Sequence, residues 1–160
     1  MESSMIDYKM EPLFSYTATI GGPEIVGPVL GGLRVNFNLT GGEVIGERVN
    51  GKILPAGGDW LLMRNDGIAE VDVRLTIRTD DEALLNVHYH GMADLGENGF
   101  EEFMAGRAPV PGTPLRIFPR FQVAAENYLW LNRLACVGIG EAHVDFATES
   151  KMKFDIYAVS

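Results

Sequence analysis

The chain has 160 residues, with 13 Lys or Arg against 22 Asp or Glu, for a formal net charge of −9. That balance argues against a nucleic-acid groove or an anionic membrane surface as partner, since both need clustered cations. A hydrophobic content of 46% excludes disorder, and no apolar run reaches the roughly 20 residues that span a bilayer.

At this length one domain with its own core is expected over residues 1–160, with 1–10 read as a flexible N-terminus. The opening segment, Met1-Glu2-Ser3-Ser4-Met5-Ile6-Asp7, carries acid where a secretory signal carries base, so a cytoplasmic location is expected. Gly21-Gly22, Gly31-Gly32, Gly41-Gly42 and Gly57-Gly58 then punctuate the first third. They match neither a phosphate loop nor a dinucleotide fingerprint, and they read as turns between short strands. Strands are expected at 14–20, 33–39, 44–49 and 60–64.

The clearest strand is 69–78, where Val71, Val73, Leu75 and Ile77 alternate with Asp72, Arg74, Thr76 and Arg78. Asp66-Gly67 is a tight-turn dipeptide leading into it. Further strands are expected at 83–91, 116–123, 128–138, 143–147 and 151–159, with one short helix near 100–105 and Asn98 as its candidate cap. The segment 105–115, with Pro109, Pro111 and Pro114, is the longest connector and is placed over a barrel mouth. Cys136 is the only cysteine, which excludes an intramolecular disulfide, and its apolar neighbours make it a buried, inert thiol.

Strands joined mainly by tight turns form an antiparallel meander, and closing it removes exposed edges. The expected fold is all-β: an antiparallel barrel of about 8–10 strands around a cavity of small-ligand size.

Three groups of residues carry a resemblance. They are Leu54-Pro55-Ala56-Gly57-Gly58-Asp59-Trp60 with Arg64-Asn65-Asp66-Gly67; Asp72-Val73-Arg74 with Thr79-Asp80-Asp81; and Tyr128-Leu129-Trp130-Leu131-Asn132. Together, from about residue 31 to 159, the chain resembles the bacterial and fungal domain-of-unknown-function family 3237. The resemblance implies a calycin-like antiparallel barrel with a central cavity. Through relatives in natural-product pathways it also implies cofactor-free cyclase or isomerase chemistry. Glu82 departs from the pattern, which has glycine after Thr79-Asp80-Asp81, and His88-Tyr89-His90 lies outside it.

The candidate chemistry follows from which side chains share a strand face. Tyr128, Trp130 and Asn132 share one, which suits a small organic ligand; the plainer reading has Trp130 in the core and Tyr128 at the surface. Asp72 and Arg74 share another. The plainer reading turns the valines inward and these charges to solvent, whereas the functional reading turns the ionisable row into the cavity. Asp72 is then a general base, with Arg74 or Arg64 stabilising developing negative charge. Asp59 and Trp60 follow a sharp glycine turn and join the ligand-binding set; Arg64 faces Asp72 across the Asp66-Gly67 hairpin, as a clamp or as a structural ion pair.

His88 and His90 align on one strand face with Asp94 four residues on. A cupin-type metal motif lacks its glycines here, because Glu82 and Glu101 stand in their places. No metal is therefore expected; His88 is read as a second proton carrier and His90 as a cavity residue. Arg120 is placed near the barrel mouth.

The combined expectation is a cofactor-independent cyclase or isomerase. It would act by acid/base chemistry on a small apolar carbonyl or polyketide-like substrate, in a homodimer or larger homo-oligomer. A non-catalytic, lipocalin-like carrier of a hydrophobic molecule is the alternative.

Overall fold

Alternation of apolar and polar residues along nearly every strand builds a wall with one dry face. The computed structural model describes residues 4–160. Its elements are β1 (Met10–Ile20), β2 (Glu24–Val29), β3 (Gly32–Gly46), β4 (Gly51–Ile53), β5 (Gly58–Arg64), β6 (Ile68–Thr79) and β7 (Leu84–Asp94). Then come α1 (Gly99–Met104), β8 (Thr113–Val123), a 3-10 helix (Glu126–Arg133), β9 (Ala135–His143) and β10 (Ser150–Val159). Of the N-terminal segment 1–10, residues 1–3 lie outside the described residues; Lys9 already pairs with Ser160 through two backbone hydrogen bonds.

The sheet closes into an eight-strand antiparallel barrel with two extra strands. Every neighbour is antiparallel, in the order β3, β1, β10, β9, β8, β7, β6, β5 and back to β3. β4 continues the wall between β3 and β6 where β5 does not reach, and β2 flanks the first half of β3. The expected strand 33–39 and the first half of 44–49 merge into β3, which ends at Gly46. Instead of a turn there is a bulge against β1 at Thr40, the residue left without a partner between Leu39 and Gly41; Gly41 and Gly42 (φ 148 and 154) follow it, and a Cβ on Gly42 would lie 2.3 Å from the Thr17 carbonyl oxygen. The bulge bends β3 so that one strand serves both β5 and β1.

The register of β6 settles which of its faces is dry. Ala69, Val71, Val73, Leu75 and Ile77 are buried, while Glu70, Asp72, Arg74, Thr76 and Arg78 point outward. This corrects the expectation that the ionisable row lines the cavity. Each aliphatic side chain turned inward gains roughly 1.5–3 kcal/mol, and burying Asp72 with Arg74 would add a desolvation penalty.

The barrel interior has two unlike halves. Where β6 ends and β7 begins, large side chains such as Leu75, Ile77, Leu85, Phe121 and Ile156 fill it. The 3-10 helix plugs that end with Leu131 and Tyr128, both buried. At the other end the inward residues include Ala18, Ala69, Ala93 and Ala142, and the smaller volumes leave a hollow.

The 3-10 helix replaces the first part of the strand expected at 128–138. Asn132 accepts a hydrogen bond from the Val123 N–H and donates to the Val123 carbonyl, both at 2.8 Å, ending β8 as a strand partner would. The Tyr128 hydroxyl donates to Asp81 (2.7 Å), which also takes the Thr79 hydroxyl (2.5 Å). Only His143 of the strand expected at 143–147 is in β9; Asp145 accepts from the Ala147 N–H and the Thr148 hydroxyl and so turns the chain.

The hairpin between β6 and β7 turns through Asp80, Asp81 and Glu82. A three-residue loop of this kind wants its last residue left-handed, and Glu82 has φ 70. The glycine at this point in the related pattern thus meets the same geometry without a Cβ. The exposed Arg78–Glu82 pair at 3.8 Å offsets little of the strain. Glu82→Gly should raise stability by about 0.5–1 kcal/mol. Urea denaturation checks this, and a lower midpoint in the variant would contradict the assignment of strain.

Candidate functional site

The hollow half of the barrel encloses a cavity of about 70 Å³. Ligand sites of drug-sized molecules run roughly 300–1,000 Å³, so in this state the cavity admits only a small fragment. Its mouth is covered by Phe103 of α1, by Pro109 of the following loop and by Phe146 between β9 and β10. The rings of Phe103 and Phe146 meet edge to face, centroids 5.3 Å apart. The proline-rich segment therefore lies over the mouth.

The lining is apolar apart from Asp59, Tyr89 and Thr113 among the described residues. Asp59 stands at the start of β5, where Gly57 and Gly58 bring the backbone close to its neighbours. Gly57 has φ 89, and a Cβ there would lie 2.1 Å from the Arg74 carbonyl oxygen. The ladder between β5 and β6 is registered at Gly58 and Asp59 and again at Leu62 and Met63, but not between. In that gap the Asp72 backbone N–H donates to Asp59 Oδ1 at 3.0 Å. The inward carboxyl is thereby tied to the wall by one bond.

Asp59 is buried, and burial pushes its pKa up from 3.8 to about 7. The Asp72 N–H and, more weakly, the Arg34 guanidinium pull the other way, while the Asp72 carboxylate adds to the rise. Beneath the cavity sit Tyr89 and Tyr16, flanking Phe154 at 6.0 and 5.2 Å between centroids. Burial raises both phenols well above the usual range, so each stays protonated and able to donate. The two hydroxyls feel one another but are not set in hydrogen-bonding geometry, and the buried Tyr16 hydroxyl has no partner among the described residues.

The residues expected to act in the cavity are otherwise elsewhere. Asp72, Arg74, His88, His90 and Arg120 all lie on the outer wall of β6, β7 and β8, because each alternates with a buried neighbour. There His88 Nε2 is 2.9 Å from Asp72 Oδ1, and His90 Nε2 is 4.0 Å from the same oxygen. Arg64 does not meet Asp72; it pairs with Asp66 and, at 3.1 Å, with Glu70. Trp60 points outward and is 39% exposed.

Tyr128, Trp130 and Asn132 sit at the plugged end. Helical winding separates them, so they form no shared ligand face. Trp130 is stacked under Arg48, whose Cζ is 3.7 Å from the ring centre. Cys136 is buried, with its thiol pushed up to about 11 by burial.

The two interior tyrosines lie outside the expected site set, yet the alternation of their strands places them inward. Phe14, Tyr16, Ala18 and Ile20 alternate with Ser15, Thr17 and Thr19, which places Tyr16 inward. Tyr89 sits between the two histidines and takes the opposite face from both.

The raised pKa of Asp59 has a consequence for stability. Folded Asp59 keeps its proton to about pH 7, whereas the unfolded chain releases it near 3.8. Its stabilising contribution is therefore complete below 3.8 and is lost as pH rises through 7. Relative to Asp59→Asn, the wild type should lose on the order of 2–3 kcal/mol between about pH 5 and pH 8. Urea midpoints of both proteins at the two pH values check this; parallel pH profiles would contradict it.

Residues 8–159 match the family described as "Protein of unknown function (DUF3237)". A UPF0311 protein of Rhodopseudomonas palustris (strain TIE-1) is 31% identical over 137 residues, covering 83% of this chain and 88% of the relative. The crystal structure of a conserved protein of unknown function from Rhodopseudomonas palustris superposes with a TM-score of 0.83 at 29% identity, covering 98% of this chain and 100% of the other. A crystal structure described as an enzyme from Penicillium herquei shares the fold, with a TM-score of 0.67 at 21% identity over 97% and 99% of the two chains. The barrel, its motifs and these relatives agree: the chain belongs to the DUF3237 family.

Proposed function

We propose that the protein is a small-molecule enzyme that moves protons on an apolar carbonyl compound inside the hollow half of the barrel, in the manner of an isomerase or cyclase. The observation that carries this reading is Asp59, the one carboxyl group among the described residues that line the largely apolar enclosure, beside the phenol of Tyr89. Proton abstraction next to a carbonyl needs a base at the carbon and a hydrogen-bond donor at the oxygen. Asp59 would accept the proton as the C–H bond breaks, while the electron pair moves onto the carbonyl oxygen. Tyr89, with the unpartnered Tyr16 hydroxyl behind it, would donate to that oxygen. Returning the proton at another carbon completes an isomerisation; attack of the enolate carbon on a second electrophilic carbon completes a ring.

The fold shared with a protein described as an enzyme is compatible with this reading and adds no substrate to it. The aromatic lid, Phe103 on Phe146, would exclude water once a substrate is seated. A second reading, a carrier that holds a hydrophobic molecule unchanged, is favoured by the almost wholly apolar lining. The two differ in what Asp59 does.

The test is exchange of α-protons for deuterium in a panel of small aromatic and aliphatic ketones, followed by NMR. Wild-type protein should accelerate exchange in part of the panel, and Asp59→Asn should lower the rate at least about 100-fold while retaining ligand binding. Tyr89→Phe should lower it by roughly 10-fold or more. Equal rates in wild type and Asp59→Asn, or binding without exchange throughout, would remove the enzymatic reading and favour the carrier.

A further inference from the structure

Two of the three histidines in the chain stand together on the outer wall, on the far side of β6 from the cavity. Period two along β7 puts His88 and His90 on one face, and the register with β6 sets Asp72 directly opposite His90. The imidazole rings are 4.9 Å apart between centroids. One ligand atom from each of the three side chains lies within 4.8 Å of the other two. Asp72 and His88 are about one-third exposed and His90 about two-thirds, so the cluster opens to solvent.

We infer that Asp72, His88 and His90 form a binding site for a divalent transition-metal ion on the outside of the barrel. The donor set is two imidazoles and one carboxylate, which suits zinc, cobalt, nickel or iron(II) and not calcium or magnesium, whose shells are built from oxygen. Metal–ligand bonds near 2.0–2.2 Å set ligand atoms roughly 3.3 Å apart on a tetrahedron. The Asp72 oxygen lies 2.9 Å from His88 and 4.0 Å from His90, and all three ligand atoms lie within 4.8 Å of one another, distances that rotation of these exposed side chains can adjust to that value.

A plain Asp–His ion pair leaves part of this arrangement unused. His88 alone satisfies one oxygen of Asp72, and the ring of His90 makes no hydrogen bond among the described residues. Three protein ligands leave at least one coordination position facing solvent. On either side of His88 in the ladder stand Arg74 and Arg120, neither in an ion pair among the described residues. Two cations beside a bound dication weaken its hold unless an anion joins it, so a carboxylate or phosphate group is the fitting occupant of the open position. The site lies outside the cavity and does not depend on the chemistry proposed there.

The test uses the untagged full-length chain, stripped with chelator and titrated calorimetrically with zinc alone. A parallel titration with cobalt reads the visible absorption of the bound ion. One equivalent should bind with micromolar affinity. His88→Ala, His90→Ala and Asp72→Asn should each weaken binding at least about 10-fold. His143→Ala, which removes the third histidine from its pairing with Glu141 on β9, should leave it unchanged. The substituted side chains lie outside the core, and circular dichroism with thermal melts confirms that each variant folds. Absence of saturable uptake into the millimolar range would overturn the site. So would wild-type affinity in His90→Ala, or a loss seen only in His143→Ala.

Discussion

A closed antiparallel barrel gives each wall residue one of two destinations, and alternation along the strand decides between them. The register of β6 is the governing case. Turning Val71, Val73, Leu75 and Ile77 inward sends Asp72 and Arg74 outward as a matter of geometry, with no local choice left. A slip of one residue would expose those aliphatic side chains and turn Glu70, Asp72, Arg74 and Arg78 inward, and both changes cost free energy. The same rule makes Asp59 exceptional. It occupies an inward position on β5 where the ladder to β6 is open, and the Asp72 N–H that lacks a ladder partner there binds it. Desolvation of one carboxyl is tolerable because it can hold its proton, at the cost of a raised pKa.

The interior is divided into a solid half and a hollow half. Large side chains and the 3-10 plug complete the core at one end; alanines at the other end leave room and an aromatic lid covers it. The family-like motifs divide along the same line. Gly57-Gly58-Asp59 sets the cavity carboxyl in place, whereas Thr79, Asp81, Tyr128 and Asn132 are joined by hydrogen bonds that hold the plug to the wall. Motif residues that look chemical in the sequence are thus largely the fastenings of the closed end.

Much of the fold was legible in the sequence because its signals are local. Regular turn dipeptides and the period-two pattern of residues 69–78 point to antiparallel strands, and the strand count points to a closed barrel. The site was less legible. The alternation of Tyr128, Trp130 and Asn132 has strand periodicity, yet the segment winds into a 3-10 helix in which Trp130 donates to the Asn127 carbonyl and Asn132 is tied to Val123 of β8. Asp59 stood among the candidate ligand-binding residues, but its depth depends on three strands meeting. Tyr16 and Tyr89 follow the inward pattern, whereas Asp72 and His88, whose side-chain chemistry stands out in the sequence, lie on the opposite face. The approach of Asp72 to His88 and His90 depends on the β6–β7 register, which the loop 80–82 fixes and no local pattern states.

The central claim is that the working surface of this protein is the inside of the hollow half, organised around Asp59. The most direct measurement is a crystal structure of the protein soaked with a small ketone that it binds. The account predicts the ketone beneath the Phe103–Phe146 lid, its oxygen within hydrogen-bond distance of Tyr89 or Tyr16 and its α-carbon against the Asp59 carboxyl. A ketone seated on the outer wall, or lodged in the barrel with its carbonyl turned away from all three groups, would contradict it.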